Sequence, residues 1–473
     1  MQCGDLPGNC KTIAPTIGAL GTPVIDPASG TLYVVTESEC PGNTTCNQGS
    51  LPVYYHYLHA LDLTTLSVSP ERYSGPVQVY PPGSNSSLWS KNHIQRPGLL
   101  LQSAPAPAYP TVYIAFSMMD GAPTPYPTGW VFAYDAQNLQ STSYPLAFNT
   151  VPSTASTANG GGIWEGGAGL ALGADSDTGQ SYIYVATGNG TWDAYNSNPP
   201  NTDYGEAFIK LKLDLSGVAD YFATAQAIPL GCPCKDFDFG SGGVMLIPDD
   251  LLPGSYSHMA IMADKEGKIY VVDRHTPGGY TGVCSTTMCP ATGCMLPTCT
   301  GTDANLESIT EAPNLTFHNT AAYWNNTLYY AQAAGHPLKK YLVTSSCPVG
   351  SPAGAQPPIC TTSVASTVTF KYGATPAVSS NGTSNAVVWA ILSNNPPENS
   401  GFGTLYAFDN NLNQLYNSDM CSTGADKLGN AMKFSVPTIA NGFVYAGGEQ
   451  SCSPTTTCQW FLNIYGKKSR QSC

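Results

Sequence analysis

Charge is scarce in this 473-residue chain: Asp, Glu, Lys and Arg together make up 10% of it, well under the quarter or so usual for a globular protein. What charge there is leans acidic, with 31 Asp and Glu against 18 Lys and Arg and a net charge of −13. No basic cluster exceeds the short Gly-Lys-Lys-Ser-Arg near the C-terminus. That excludes the basic stripe of a nucleic-acid-binding surface and a polybasic membrane patch. No apolar run reaches the roughly 18 residues that a membrane-spanning helix needs, and no long stretch carries helical periodicity. A phosphate loop, a Ser-His-Asp set and a convincing carboxylate pair are also lacking. The seven histidines are scattered. His56 and His59 stand three apart in YYHYLHALD, so they fall on opposite faces of a strand by alternation or at a strand start.

Turn formers are abundant instead, with 48 Gly and 39 Pro, alongside 28 Tyr. The 42% of residues that are hydrophobic fall in short runs, which points to many strands joined by turns rather than to disorder. Residues 21–35, GTPVIDPASGTLYVV, read as one hairpin: an apolar run into Asp26, a Pro-Ala-Ser-Gly turn, and a second apolar run. The second run recurs as PTVYIAF, SYIYVAT, GKIYVVD, NTLYYAQ, NAVVWAI and GFVYAGG. These seven copies are centred on Tyr33, Tyr113, Tyr184, Tyr270, Tyr329, Trp389 and Tyr445, at intervals of 80, 71, 86, 59, 60 and 56 residues. Each has an apolar strand upstream, and most have another downstream that ends in Asp, such as HALDL, FAYDA and YAFD. Three or four short antiparallel strands per unit, repeated radially, predict a β-propeller, in which each sheet hides its faces against the next. The expectation is all-β: a single propeller domain over 1–473 with seven four-stranded blades. Cysteine-rich loop insertions are expected at 276–312 and 345–370.

Sixteen cysteines in loop-like sequence predict disulfides and an oxidising compartment. The near pairs are Cys3/Cys10, Cys40/Cys46, Cys347/Cys360 and Cys452/Cys458. Cys232 and Cys234, one residue apart, read as loop cysteines with separate partners, the alternative being a strained or redox-active pair. Cys284, Cys289, Cys294 and Cys299 come every five residues, which suits two disulfides better than the C-x₂₋₄-C knuckles of structural zinc. The odd cysteines Cys421 and Cys473 are candidates for bridges between chains. Six N-x-S/T sequons, at Asn43, Asn85, Asn189, Asn314, Asn325 and Asn381, are candidate glycosylation sites. Together these features predict a secreted protein, extracellular or on the cell surface.

The stretches GTPVIDPASGTLYVV, LHALDLTTL, QRPGLLL, GWVFAYDAQNL, GGIWEGG, YVATGNGTWD, DFDFGSGGVMLIPD, DKEGKIYVVDR and KFSVPTIANGFVYAG follow one another along nearly the whole chain. In that order they resemble the PQQ-binding-like, or quinoprotein alcohol dehydrogenase-like, β-propeller family. Members carry further sequence before the equivalent of Cys3-Gly4-Asp5, so the alternative to seven blades is eight, one being missing or supplied in trans. The resemblance implies a stacked quinone, often between a Trp and a disulfide of adjacent cysteines. It also implies a Ca²⁺ ion held by Glu, Asn and Asp oxygens, a carboxylate base toward an alcohol, and an Arg or Lys beside the reduced quinone. Neither an adjacent Cys-Cys pair nor the C-x-x-C-H of a haem-bearing member occurs. Polar residues of the motif loops that could line a central site are Glu165, Asn189, Asp193, Asp236, Asp238, Lys265 and Arg274, with Trp164 and Trp192 as stacking surfaces. For an axial metal the candidate ligands are Glu165, Asn189 and Asp238, although a glycan on Asn189 would exclude one there. Asp in such positions also commonly bonds the N–H groups of a turn.

Two functions follow as expectations. One is a non-catalytic binding or structural module whose partners are protein subunits, itself among them, or glycans, with assembly into an array or filament as an extension. The other is a PQQ- and Ca²⁺-dependent dehydrogenase that oxidises an alcohol or sugar at the propeller axis.

Overall fold

The computed structural model describes residues 18–466, apart from 104–109, 153–159, 194–201, 226–235, 285–298, 311–316, 394–402, 450–459 and a few shorter gaps. The fold is all-β, a seven-bladed β-propeller. Among the described residues the one α-helix is Ser86–Asn92, capped by Asn85, whose side chain accepts from the Leu88 N–H.

Each blade is an antiparallel meander. Blade 1 runs Val24–Asp26, Thr31–Cys40, Val53–Asp62 and Val77–Gln78. Its first hairpin is the one read from residues 21–35. Val24 pairs with Tyr33 and Asp26 with Thr31, Asp26 accepts from the Ala28 and Gly30 N–H groups, and Gly30 supplies the φ of +65° that the turn needs. Blade 2 has its first strand interrupted at the Arg-Pro-Gly stretch: His93–Ile94 and Leu100–Gln102 both pair with Thr111–Met118, which leads to Trp130–Asp135 and Leu146–Asn149. Blade 3 comprises Ala171–Ala174, Ser181–Ala186, Ala207–Lys212 and Val218–Ala223. Blade 4 comprises Met245–Leu246, Met259–Ala263, Lys268–Asp273 and Glu307–Thr310. Blade 6 is Ala377–Asn381, Ser384–Leu392, Thr404–Phe408 and Gln414–Asn417. Among the described residues blades 5 and 7 have three strands each: Ala322–Trp324, Thr327–Val343 and Ile359–Ala374, and Thr438–Ala440, Phe443–Glu449 and Trp460–Tyr465.

The described chain falls into two compact units. The first holds residues up to Leu246 together with Arg274–Asn305, and the second holds Ile247–Asp273 and everything from Leu306. In the first unit, apolar clusters join blade 1 to blade 2 around Tyr33, Leu58, Val112 and Phe132, and blade 2 to blade 3 around Tyr113, Val131, Ile183 and Ile209. In the second, Tyr329, Phe370, Val388 and Phe408 join blades 5 and 6, and Ile391, Leu405, Val444 and Ala446 join blades 6 and 7.

The recurrent aromatic has a second task besides filling these layers. The buried Tyr33 hydroxyl donates to the Ala136 carbonyl at 2.8 Å, Tyr113 to Leu213 at 2.8 Å, and Tyr329 to Asn410 at 3.3 Å. In all three the acceptor lies just past the third strand of the next blade. One hydroxyl therefore ties each of these neighbouring pairs while its ring packs between them.

Two loop expectations change. Half of the insertion expected over 345–370 is strand: Ile359–Ala374 pairs with Thr327–Val343 to make a long ribbon, as β-branched TTSVASTVTF favours. Its far end is closed by the expected Cys347–Cys360 disulfide. The insertion at 276–312 contains a short ladder that sets Cys284 opposite Cys299 and ends in a blade strand. Cys40 and Cys299 each take part in a disulfide, so Cys299 is no zinc thiolate. Cys421 is buried and its thiol hydrogen-bonds Thr423, which places it out of reach of a second chain. Cys3, Cys10, Cys46, Cys232, Cys234, Cys289, Cys294, Cys452, Cys458, Cys473 and the sequon at Asn314 lie outside the described residues. Asn43, Asn85, Asn325 and Asn381 are exposed, Asn325 and Asn381 at hairpin turns.

Candidate functional site

Three loops of the first unit converge: the Gly-rich run at 160–169, residues 187–190 after the second strand of blade 3, and residues 236–243 leading to blade 4. Glycine makes the approach possible. A Cβ on Gly188 would stand 2.3 Å from Asp238 Oδ1 and 2.9 Å from the Trp164 ring, and one on Gly162 would stand 2.1 Å from Ser117 Oγ. Trp164, Glu165, Asn189 and Asp238 are thereby gathered in one place.

Glu165 is the unusual member. It is fully buried, its φ is +37°, and the Ala186 backbone N–H is the one donor that stabilises its charged form, without a full hydrogen bond to either oxygen. Burial holds its proton on, so its pKa rises to about 8. Asp238, at φ +34°, is also buried. Its Oδ1 accepts the Asn189 backbone N–H at 3.0 Å, while Asn189 Oδ1 accepts the Asp238 N–H at 3.4 Å and Asn189 Nδ2 donates to Asp236 at 3.3 Å. Asn189 and Asp238 thus cross-brace two loops, the turn-binding role open to Asp in such sequence.

Trp164 is half-buried and is covered by a residue the sequence reading passed over. The Arg96 guanidinium sits 4.9 Å from its ring centroid, and Arg96 Nε donates to the Trp164 carbonyl at 2.9 Å. The only hint was its place in the QRPGLLL motif. Glu206, equally unforeseen, is buried at φ +53° and takes the Phe239 N–H at 2.7 Å, anchoring the third loop.

Other candidates lie elsewhere. Trp192 is buried edge-on among Tyr204, Tyr221 and Tyr280, so its faces are committed to the core and offer no stacking surface. Asp193 caps its own loop through the Thr202 and Asp203 N–H groups. Arg274 donates to the Ala174 carbonyl. Ala174 pairs with Ser181 at the start of the second strand of blade 3, whereas Asn189 follows that strand's end, so Arg274 belongs to the opposite end of the blade. Its guanidinium lies by the Tyr184 ring, in the position that Ala136, Leu213 and Asn410 hold for the other tyrosines. Lys265 sits in a hairpin turn of the second unit. Asp264 organises that turn by accepting from the Glu266 and Lys268 N–H groups and the Tyr270 hydroxyl.

A calcium ion takes about six to eight oxygens. Two of the candidate oxygens, Asn189 Oδ1 and Asp238 Oδ1, already accept backbone N–H groups, and among the described residues no group of three His, Cys, Asp or Glu is arranged to hold a metal. By themselves these three side chains fall short of a full calcium shell.

No family model matches the chain, and no curated protein matches it in sequence. Solved structures that resemble it include a quinohemoprotein alcohol dehydrogenase from Pseudomonas putida HK5, 14% identical over 93% of this chain and 71% of that one, with a TM-score of 0.45. A quinohemoprotein alcohol dehydrogenase from Comamonas testosteroni is 13% identical over 92% and 71%, at 0.40. A europium-containing methanol dehydrogenase is 13% identical over 92% and 76%, at 0.35. No residue role is carried over from these likenesses. Among the described residues no helix is long and apolar enough to cross a membrane.

Proposed function

We propose that this chain is a disulfide-stapled β-propeller that works outside the cell as a non-catalytic binding or assembly module. The observation that carries this reading is the mutual hydrogen bonding of Asn189 and Asp238, which engages in loop bracing two of the oxygens that an axial metal would need, Asn189 Oδ1 and Asp238 Oδ1. The Cys347–Cys360 bridge and the exposed sequons at Asn43, Asn325 and Asn381 suit a durable extracellular surface, and half-exposed tyrosines such as Tyr55 and Tyr57 supply contact area with a polar handle.

The competing reading is PQQ- and Ca²⁺-dependent oxidation of an alcohol or sugar. One observation favours it: Glu165 is a buried carboxylate with no full hydrogen bond to either oxygen, beside a tryptophan ring. Bound PQQ would supply the electron sink for such an oxidation. The two readings separate when PQQ and Ca²⁺ are added to the purified, oxidised chain. The module reading expects no quinone absorbance on the protein after gel filtration and no dye-linked oxidation of alcohols or sugars. Saturable quinone binding with turnover overturns it.

A further inference from the structure

Two blades end in a strand with no partner beyond it among the described residues, and the two free edges differ in chemistry. Blade 5 ends in Ile359–Ala374, whose exposed side chains are Ser363, Ala365, Thr367, Thr369 and Lys371. A charged side chain such as Lys371 is one way a sheet edge is protected from pairing with another chain. Blade 7 ends in Trp460–Tyr465, which carries no charge and exposes Leu462 at 62%, Ile464 at 58% and Phe461 at 37%. Among the described residues nothing protects this edge. The strand is nonetheless fixed from within, because Asn463 donates to the Leu428 carbonyl at 3.0 Å and the Tyr465 hydroxyl to the Asp426 carbonyl at 3.1 Å. A cavity of about 470 Å³ lies beside it, lined by Trp389, Tyr416, Asp426, Val444, Asn463 and Tyr465. In blades 1 to 3 the corresponding region is covered by a fourth strand, which contributes Val77, Leu146, Phe148, Val218 and Tyr221 to the layers between blades.

The strand's own sequence says what fits it. Phe461-Leu462-Asn463-Ile464-Tyr465 reads the same in both directions by chemical class: aromatic, aliphatic, amide, aliphatic, aromatic. Antiparallel pairing about a two-fold axis through Asn463 sets Leu462 against Ile464 of the second copy and Phe461 against Tyr465 of the second copy. Parity is preserved in that register. Leu462 and Ile464 share the face of Tyr445 and Gly447, and Phe461, Asn463 and Tyr465 share the face of Val444 and Ala446, so each pair meets on one side of the joint sheet. Aliphatic–aliphatic and aromatic–aromatic cross-strand pairs are the stabilising unit of a sheet, and a two-fold axis makes an isologous contact that closes on itself. We propose that the fourth strand of blade 7 is supplied by the same strand of a second copy, giving a closed dimer through a continuous six-stranded sheet.

Sedimentation of the oxidised full chain over a range of concentrations tests this. A monomer–dimer equilibrium is expected, and Ile464→Lys, at an exposed position, is expected to weaken it by about tenfold or more. The register is tested by Asn463→Cys, which sits opposite itself and is expected to form a 463–463 disulfide in peptide mapping. Leu462→Cys, set opposite residue 464, is expected to form no such self-link. A chain that stays monomeric at every concentration overturns the proposal. So does an oligomer indifferent to Ile464→Lys, growth into open polymers, or self-crosslinking at 462 in place of 463. None of these results depends on whether the first unit binds a quinone.

Discussion

At the scale of single residues, Glu165 shows how position decides chemistry. Its neighbours in sequence are glycines and a tryptophan, its backbone is left-handed, and only the Ala186 N–H offsets the burial of its carboxylate. The unfolded chain releases this proton near 4.5 and the folded chain near about 8. Below the lower value both states hold the proton and the group costs nothing. Between the two values only the unfolded state gains by ionising, so folding stability declines as pH climbs and levels off above about 8. Glu165→Gln keeps the shape and removes the titration. Urea unfolding at pH 4.5 and pH 8.5 is therefore expected to show the variant gaining on the wild type with rising pH, by on the order of 4 kcal/mol at the upper end. An equal difference at both pH values would show that the carboxylate is solvated or bound to a cation.

At the scale of elements, the blades are held together by layers of aromatic and branched side chains, with a tyrosine hydroxyl stitched across three of the junctions. Tyr113→Phe leaves the layer intact but strips the Leu213 carbonyl of its donor. The expected cost is about 1 kcal/mol, and Tyr33→Phe, at a different junction, is expected to add to it without coupling. Urea midpoints of the two single variants and the double variant check both statements. The period of these tyrosines was legible in the sequence, and so was the hairpin around each. Their acceptors were not, because they lie 81 to 103 residues away and only the stacking of blades brings them near. The same limit shaped the candidate site. Trp164, Glu165, Asn189 and Asp238 could be gathered from motif loops that recur at one end of the strands. Arg274 was misplaced because sequence spacing does not show at which end of a neighbouring blade a side chain arrives. Arg96 was missed because a lone arginine before a proline carries no signal until its tryptophan is in place.

At the scale of the whole molecule, a strongly acidic chain with an uncharged, apolar edge makes a distinctive demand on its surroundings. Two copies that approach through Trp460–Tyr465 each carry a net charge of −13, and that repulsion is long-ranged at low ionic strength. The screening length is about 30 Å at 0.01 M salt and about 10 Å at 0.1 M. The strand pairing itself involves backbone amides and Leu462, Ile464, Phe461 and Tyr465, none of them charged, so salt weakens no attractive contact while it removes the repulsion. The dimer fraction at fixed protein concentration is therefore expected to rise between about 0.01 M and about 0.1 M salt and then to hold steady. An interface built on ion pairs would do the reverse and dissociate as salt increases. Sedimentation at the two ionic strengths distinguishes them, and a falling dimer fraction would place the contact on one of the charged surfaces of the molecule instead of on blade 7.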